Sequence, residues 1–303
     1  MPPCGENLVY RAHGLVILSD AALPELKMCG DDAPPQVRIA AGPVTQGLPG
    51  RTGGGVLYDV SPGKFLLQME GVARYLVSDG CGITIDAAPG ADADSVRLFL
   101  WGSVFGALLH QRGGLPLHAS AIETPKGAVL FAGGSSRGKS ALAAAFHARG
   151  YRVIADEICA INPASAGAEA VPAIPRLLLW PDVIDQYGPC GPNVRPARAN
   201  IGKYHVPLET GFAASPSPIH AVYLLVVNNG NEYGISTVSG LDKFARLTDL
   251  VFRWQFLSGM CDVSEHFQRV AAVARDMRMR RLERPASRSL QQTADFLEKD
   301  FMR

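Results

Sequence analysis

The sequence has few features of a secreted, membrane or nucleic-acid-binding protein. Its six cysteines are widely scattered, with no Cys-x-x-Cys pair and no spacing suited to zinc, so a disulfide framework is not expected. No apolar stretch reaches the roughly 20 residues of a membrane span, and residues 1–14 lack the pattern of a secretory signal. A formal net charge of +1 gives no general attraction to nucleic acid or acidic membranes. These features predict a cytoplasmic protein that binds neither nucleic acid nor a membrane.

The composition is that of a globular protein with room for a second, smaller domain. Of the 303 residues, 47% are apolar and 19% charged, and glycine and proline are spread along the chain rather than gathered in repeats. The arginine-rich stretch at residues 275–284 is interpreted as the solvated face of a late helix, and no function is assigned to it.

Two regions follow from the pattern of apolar residues. Residues 8–85 contain short apolar groups separated by Gly, Pro, Asp and Ser, which is typical of strands and turns. Residues 91–112 have helical spacing and predict a linking helix. We therefore predict a small β-rich N-terminal domain at residues 1–94 and a catalytic domain with C-terminal helices at residues 95–303.

The second region predicts a hairpin around the turn TPKG, then a glycine-rich loop, a helix over Lys139–Arg149 and a strand ending in acidic residues. A buried strand is predicted at 220–227, and loops at 172–181 and 189–196. Helices are predicted at 249–258, 264–279 and 290–301.

The loop after the hairpin matches the phosphate-binding pattern G-x-x-x-x-G-K-[ST] in full. The matching residues are Gly133, Gly134, Ser135, Ser136, Arg137, Gly138, Lys139 and Ser140. A strand is predicted before the loop and a helix after it, so backbone N–H groups and the positive helix end would face a phosphate. Lys139 would contact the β- and γ-phosphates, and the Ser140 hydroxyl would bind Mg²⁺. ATP and Mg²⁺ are therefore the expected cofactors.

Three further residues are candidates for the chemistry at this loop. Asp156 and Glu157 end the strand that follows the loop's helix, which would return them to the phosphates as metal ligand and general base. His118 lies on the first strand of the hairpin, which would carry it to the same end of the sheet.

The segments LHAS, GGSSRGKS and HARGYRVIADE together resemble the catalytic domain of HPr kinase/phosphorylase, over roughly residues 118–161. The resemblance implies an α/β fold like that of HPr kinase and phosphoenolpyruvate carboxykinase, a P-loop domain with a mixed sheet. It makes Asp156 or Glu157 the general base toward a serine hydroxyl, with the other acid on magnesium. It puts His118 near the transferred phosphoryl group.

The N-terminal segments YRAHGLVILSD and ALPEL resemble the variable domain of HPr kinase-related proteins in bacterial peptide-modification clusters, including lasso-peptide kinases. The chain departs from the HPr kinases at Ala141, next to the nucleotide, where they usually carry glutamate, so metal binding is expected to differ. Ser136 and Arg137 replace a glycine-containing loop tip, and Glu157 stands where a second aspartate is common. The later glycine-rich arginine motif is not found, so reverse phosphorolysis is not expected.

Candidate substrate-binding cations lie after the acids. Arg176 would supply a positive charge at a strand start, and Arg195, Arg198 and Lys203 lie in a loop that could close over phosphates or a peptide. Solvated surface charge is the alternative for all of them.

The preferred function is an ATP-dependent serine kinase that acts on a peptide or small protein, such as a lasso-type precursor peptide. A small-molecule kinase, for example of free serine, and an ATP-binding regulatory switch remain alternatives. Homo-oligomers are compatible with the family, and no residue pattern sets the number of subunits.

Overall fold

The computed structural model describes residues 8–30, 33–164, 167–188, 194–198 and 202–303. Within these residues the chain forms two compact units. Unit 1 runs to Pro116 and includes Phe252–Phe267, and unit 2 comprises Leu117–Val251 and Gln268–Arg303. Residues 189–193 of one predicted loop lie outside the described residues.

Unit 1 is built on an eight-stranded sheet, which confirms the strand-rich character predicted for this region. The strand order is β1-β2-β3-β8-β7-β6-β5-β4, with β3 parallel to β2 and β8 and the other neighbours antiparallel. The strands are β1 (Leu8–Ala12), β2 (Leu15–Ser19), β3 (Val37–Ala41), β4 (Gly53–Gly54), β5 (Tyr58–Ser61), β6 (Lys64–Met69), β7 (Ala73–Ser78) and β8 (Gly82–Ala87).

The predicted linking helix is present as α1 (Ala93–Phe99), a π-helical turn and α2 (Phe105–Gln111). Arg97 Nε and Trp101 Nε1 donate to the Glu25 carboxylate at 2.9 and 3.1 Å, and Tyr75 on β7 donates its hydroxyl to a carbonyl oxygen of α1 at 2.9 Å. The helix therefore packs with the first unit, whereas the predicted boundary at residue 94 assigned it to the second.

The segment after Val251 also belongs to unit 1, and the helix predicted at 249–258 is wrong. Helix α5 covers Gly240–Leu250, and Arg253 then adopts a left-handed backbone (φ 53°) that no α-helix continues through. A single 3₁₀ turn follows at Trp254–Phe256, where the buried Phe256 ring lies 4.5 Å from the ring centroid of Phe65.

Unit 2 contains a second eight-stranded mixed sheet and a three-stranded one, so the chain has a mixed α/β architecture. The strand order of the larger sheet is β10-β9-β12-β13-β17-β19-β18, and β11 pairs with β9. Strand β17 also pairs with β10, so the strands from β10 to β17 form a closed ring. The small sheet has the order β14-β16-β15.

The strands of unit 2 are β9 (Leu115–Thr124, which starts in unit 1), β10 (Gly127–Ala132), β11 (Arg152–Ala155), β12 (Ile158–Ala164), β13 (Gly167–Val171), β14 (Arg176–Leu179), β15 (Arg195–Pro196), β16 (Tyr204–Pro207), β17 (Ser217–Asn228), β18 (Gly234–Val238) and β19 (Met279–Pro285). The helices are α3 (Lys139–Ala148), α4 (Pro181–Tyr187), α5, α6 (Val263–Asp276, which starts in unit 1) and α7 (Leu290–Phe301).

The core of unit 2 lies where α3 and α7 cover one face of the main sheet. Phe146 of α3 stacks on Phe131 of β10 with ring centroids 5.4 Å apart, and Phe301 of α7 lies 5.5 Å from the Phe146 ring. All three side chains are fully buried. The predicted hairpin, the loop's helix and the last helix are confirmed by β9, β10, α3 and α7.

Two other predicted elements differ from the structure. The stretch 172–181, predicted as a loop, contains strand β14, which pairs with β16. The arginine-rich stretch is not a helical face after residue 276: residues 279–285 form β19, because Met279 and Leu282 are buried there between β17 and β18.

No helix within the described parts of the chain combines the length and apolar character needed to cross a membrane.

Candidate phosphate-binding site

The glycine-rich loop joins the end of β10 to the start of α3, as its pattern requires. Gly138 caps the helix in a left-handed conformation (φ 90°), and the exposed Ser136 is also left-handed (φ 59°). Gly138 brings no side chain to the first N–H groups of α3, which have no acceptor within the helix. This end of α3 can therefore donate to an anion.

The side chain of Lys139 is buried against its own glycine-rich loop. Its ammonium group donates to the carbonyl oxygens of Gly133 and Gly134 at 2.9 and 3.0 Å. Burial lowers the pKa of Lys139, and the nearby carboxylate of Asp156 opposes this shift; Lys203 lowers the pKa further. The site thus holds a desolvated cation next to a carboxylate, which favours a ligand that brings negative charge.

The strand directions bring the predicted loop and two predicted residues to one sheet edge. Strand β9 is antiparallel to β10 and to β11, with Ala119 opposite Ala132 and Ala121 opposite Ala155. Because of this register, His118 at the start of β9, the loop after β10 and Asp156 after β11 lie at the same edge. The structure therefore collects the predicted loop, acid and histidine from separate strands.

The Asp156 carboxylate is fixed by two donors. Oδ1 accepts from the hydroxyl of Ser120 on β9 at 2.6 Å, and Oδ2 accepts from the backbone N–H of Leu178 on β14 at 2.8 Å. A carboxylate has about four acceptor positions, so capacity for a metal ion or a proton remains. Glu157 follows in a left-handed conformation (φ 70°) that turns the chain into β12. The sequence analysis did not identify Ser120 as a partner of the acid.

The donors predicted for Mg²⁺ are one hydroxyl group and two carboxylates. Within the described residues, no three histidine, cysteine, aspartate or glutamate side chains form a metal site of their own. Ser140, Asp156 and Glu157 supply one hydroxyl and two carboxylates, which suits a Mg²⁺ ion that takes its other ligands from water and phosphates.

Two of the three candidate substrate arginines lie on the small sheet, and the third follows its strand β15. Arg176 is buried at the start of β14 and donates from Nη1 to Nδ1 of His205 at 3.0 Å. Arg195 lies opposite His205 on β15, and Arg198 follows that strand half-buried. A cavity lies beside the glycine-rich loop, and none of the three arginines is among its described lining residues. Lys203 lies with Nζ 5.7 Å from the ring centroid of Trp180.

A cavity of about 620 Å³ opens beside the loop, lined by His118, Gly133, Gly134 and Arg137. Two cations that the sequence analysis did not single out also line it: Arg246 from α5 and Arg281 from β19. A third, Arg284, lies next to the helix cap, since a Cβ atom on Gly138 would be 3.9 Å from its guanidinium group. The buried Met279 and Leu282 of β19 are three residues apart, which is helical spacing, so nothing in this stretch indicated a strand.

Comparison with known proteins gives little beyond the residues themselves. No protein-family model and no curated protein sequence matches the chain. Among solved structures, the Hpr(Ser) kinase/phosphatase from Coxiella burnetii matches at 14% identity and a TM-score of 0.35, over 62% of this chain and 96% of that one. A likeness at that TM-score does not establish a shared fold or a shared activity, so the functional interpretation depends on the site.

Proposed function

We propose that the protein is an ATP-dependent serine kinase of HPr kinase-like fold that acts in the cytoplasm on a serine-bearing peptide or small protein. The main support for this proposal is that the loop, its buried Lys139 and the oriented Asp156 carboxylate lie at one sheet edge. A cation, backbone donors and a carboxylate side by side are what a phosphoryl transfer needs, since this reaction depends on positioning and charge neutralisation.

The loop would bind the triphosphate through its backbone. N–H groups between Gly134 and Ser140 would donate to the β-phosphate, and the first turn of α3 would add its positive end. Lys139 would leave the carbonyl oxygens of Gly133 and Gly134 for the β- and γ-phosphates. Ser140 and one of the two acids would hold Mg²⁺, which offsets phosphate charge when bound.

The transfer itself needs one proton acceptor. The serine oxygen forms a bond to the γ-phosphorus, the bond from that phosphorus to the β–γ bridging oxygen breaks, and ADP leaves. The hydroxyl proton passes to the acid that is not on the metal, Asp156 or Glu157. His118, at the same edge, would contact the transferred phosphoryl group.

The experiment incubates the purified full chain with γ-labelled ATP and Mg²⁺. The acceptors are free serine and a panel of serine peptides, including lasso-type precursor sequences. Lys139→Ala should reduce label transfer by about 100-fold or more, because its charge acts in the transition state. The matched control is Lys126→Ala, an exposed lysine on the β9–β10 turn, which should leave transfer unchanged.

Each result has a definite meaning. Label on a peptide serine, lost in Lys139→Ala, supports the proposal, whereas label on free serine alone replaces the peptide substrate with a metabolite. ATP binding or hydrolysis without label on any acceptor favours a nucleotide-dependent switch. Full transfer by Lys139→Ala would remove the loop from the mechanism.

The two acids can be separated by the same assay. Asp156→Asn and Glu157→Gln should both reduce transfer, but only the variant of the metal ligand should need more Mg²⁺ for half of its maximal rate. If neither variant shifts the magnesium requirement, the assignment of these residues as a base and a metal ligand is wrong.

A further inference from the structure

The cavity beside the loop lies over the sheet face opposite α3. On β17, Leu224, Leu225 and Val226 line the cavity, and Leu225 also packs in the core with α3. On β19, Leu282 packs in that core and Arg281 lines the cavity. Successive strand residues point to opposite faces, so the β19 pair places the cavity on the face away from that core. Helix α5 closes this side through Arg246, Asp249 and Leu250.

The lining carries an excess of positive charge. Three arginines, Arg137, Arg246 and Arg281, face one carboxylate, that of Asp249. Arg246 pairs with Asp242 at 3.2 Å and Arg281 with Glu283 at 2.9 Å, and both arginine side chains are about half exposed. Ion pairs at such positions contribute little, and each guanidinium has five donors, so both groups can bind an anion at small cost.

The cavity opens at the end of the loop that would meet the terminal phosphate. Lys139, the residue that would contact the β- and γ-phosphates, donates to Gly133 and Gly134, and both of these residues line the cavity. His118 also lines it. Ser140 and Ala141, in the first turn of α3, are not among its described lining residues. The space would therefore adjoin the γ-phosphate of a bound nucleotide rather than its nucleoside.

We infer that this cavity binds the phosphoryl acceptor, and that the acceptor carries a carboxylate close to its reacting serine hydroxyl. Arg246 and Arg281 would bind the carboxylate, and Leu224 and Leu250 would contact the aliphatic part beside it. A volume of about 620 Å³ suits a few residues of an extended peptide or a small molecule, not a folded domain. The inference rests on the proposed kinase function and names the substrate class of its site.

The test measures binding rather than transfer, so that it does not depend on catalysis. Fluorescent serine peptides are titrated into the full chain with a non-hydrolysable ATP analogue and Mg²⁺, and anisotropy is recorded. One peptide pair has glutamate or glutamine next to the serine, and a second pair has a C-terminal serine with a free or an amidated carboxyl group. Competition by free serine and by serinamide covers a small acceptor.

Arg246→Gln and Arg281→Gln should each weaken binding of the preferred carboxylate ligand by about tenfold, which is the effect of losing one charge-assisted contact. Both should leave the affinity for the ATP analogue within about twofold. The control is Arg152→Gln: Arg152 forms an ion pair with Glu123, and its side chain is 57% exposed against 50% for Arg246, but it does not line the cavity. This variant should bind the ligand as the unaltered chain does.

The pair that discriminates tells which carboxylate is recognised: an acidic neighbour, a chain terminus or that of free serine. Equal binding of carboxylate and amide ligands, or no binding of any of them, overturns the inference. A large loss of ATP-analogue affinity in Arg281→Gln also overturns it, because the cavity would then hold the nucleotide. If label transfer fails but carboxylate binding depends on the two arginines, the kinase proposal fails while the anion site stands.

Discussion

Lys139 places a buried positive charge inside the glycine-rich loop. Its ammonium group is removed from water and held by two carbonyl oxygens of its own loop. Burial lowers its pKa, because the charged ammonium group has lost contact with water. A bound triphosphate would oppose this shift, since it brings negative charge to the buried ammonium group.

Gly133 is the residue whose replacement tests the loop's backbone directly. It has φ 136°, and a Cβ atom there would lie 3.0 Å from the carbonyl oxygen of Leu225 on β17. Gly133→Ala should therefore lower the free energy of unfolding by about 1 to 3 kcal/mol without any nucleotide, measured by urea denaturation.

The neighbouring glycine supplies the control for this prediction. A Cβ atom on Gly134 would lie 3.9 Å from the side chain of Arg137, which is ordinary contact. Gly134→Ala should change the unfolding free energy by no more than about 0.5 kcal/mol. Equal losses in the two variants would show that the close approach of Gly133 to β17 is not what limits this position.

At the scale of elements, strand β9 links the two halves of the site. It pairs with β10, which ends in the loop, and with β11, which ends at Asp156. Its fully buried Ser120 fixes the acid through a hydrogen bond of 2.6 Å. Loss of the Ser120 hydroxyl should therefore affect the orientation of the acid more than the loop.

Ser120→Ala should lower kcat for phosphate transfer by about tenfold and leave the KM for ATP nearly unchanged, because one of the two donors to Asp156 is lost. Steady-state kinetics with the best acceptor from the label assay measure both constants. Ser217→Ala, at a buried serine on β17, is the control and should keep kcat. A rise in the KM for ATP with unchanged kcat would contradict a positioning role for Ser120.

The elements that carry the loop were predictable because their signals are local. The loop pattern, the strong helix formers of α3 and the turn between β9 and β10 all lie within residues 115–149. Strand β19 was not, because arginines interrupt its apolar residues and its burial depends on β17 and β18 on either side. Helix α5 was missed because the apolar residues after it favoured a helix at 249–258, whereas Val251 (ψ 120°) ends α5 and Arg253 is left-handed.

The same distinction applies to the candidate site. Lys139 and Ser140 are set by a pattern within one loop, and Asp156 by the strand that follows the loop's helix. Arg246 and Arg281 come from α5 and β19, far along the chain, and only the sheet order brings them to the cavity. Sequence spacing holds no information on that proximity.

At the scale of the whole molecule, unit 1 is completed by a segment from late in the chain. His110 on α2 is buried, and its Nε2 donates to the carbonyl oxygen of Phe252 at 2.8 Å. The His266 ring lies 5.7 Å away, between ring centroids. Burial lowers the pKa of His110 to about 4; the carbonyl of Phe252 opposes this shift and His266 adds to it.

This histidine predicts a loss of stability in mild acid. The unfolded chain takes up a proton at His110 near pH 6.5, whereas the folded chain does so only near pH 4, so acid favours unfolding. The contribution of neutral His110 to the free energy of unfolding is complete above pH 6.5. It should fall by about 2 kcal/mol between pH 7.5 and pH 5.

Urea denaturation at both pH values, followed by a probe in unit 1, measures this loss. His110→Gln keeps a donor for the Phe252 carbonyl but cannot take up a proton in this range. The variant should therefore not show this loss of about 2 kcal/mol in the free energy of unfolding between the two pH values. The same pH dependence in the variant and the unaltered chain would assign the loss to other groups.

The pairing of β10 with β17 also sets an order of events during synthesis. Strand β10 is flanked by β9, its neighbour along the chain, and by β17, which follows nearly a hundred residues later (Gly127–Ala132 against Ser217–Asn228). Gly133 rests against Leu225 of β17. A nascent chain that has emerged only through the loop and α3 therefore lacks half of the support for its phosphate-binding loop. Nucleotide binding should consequently appear late in translation, after the β17 segment has left the ribosome.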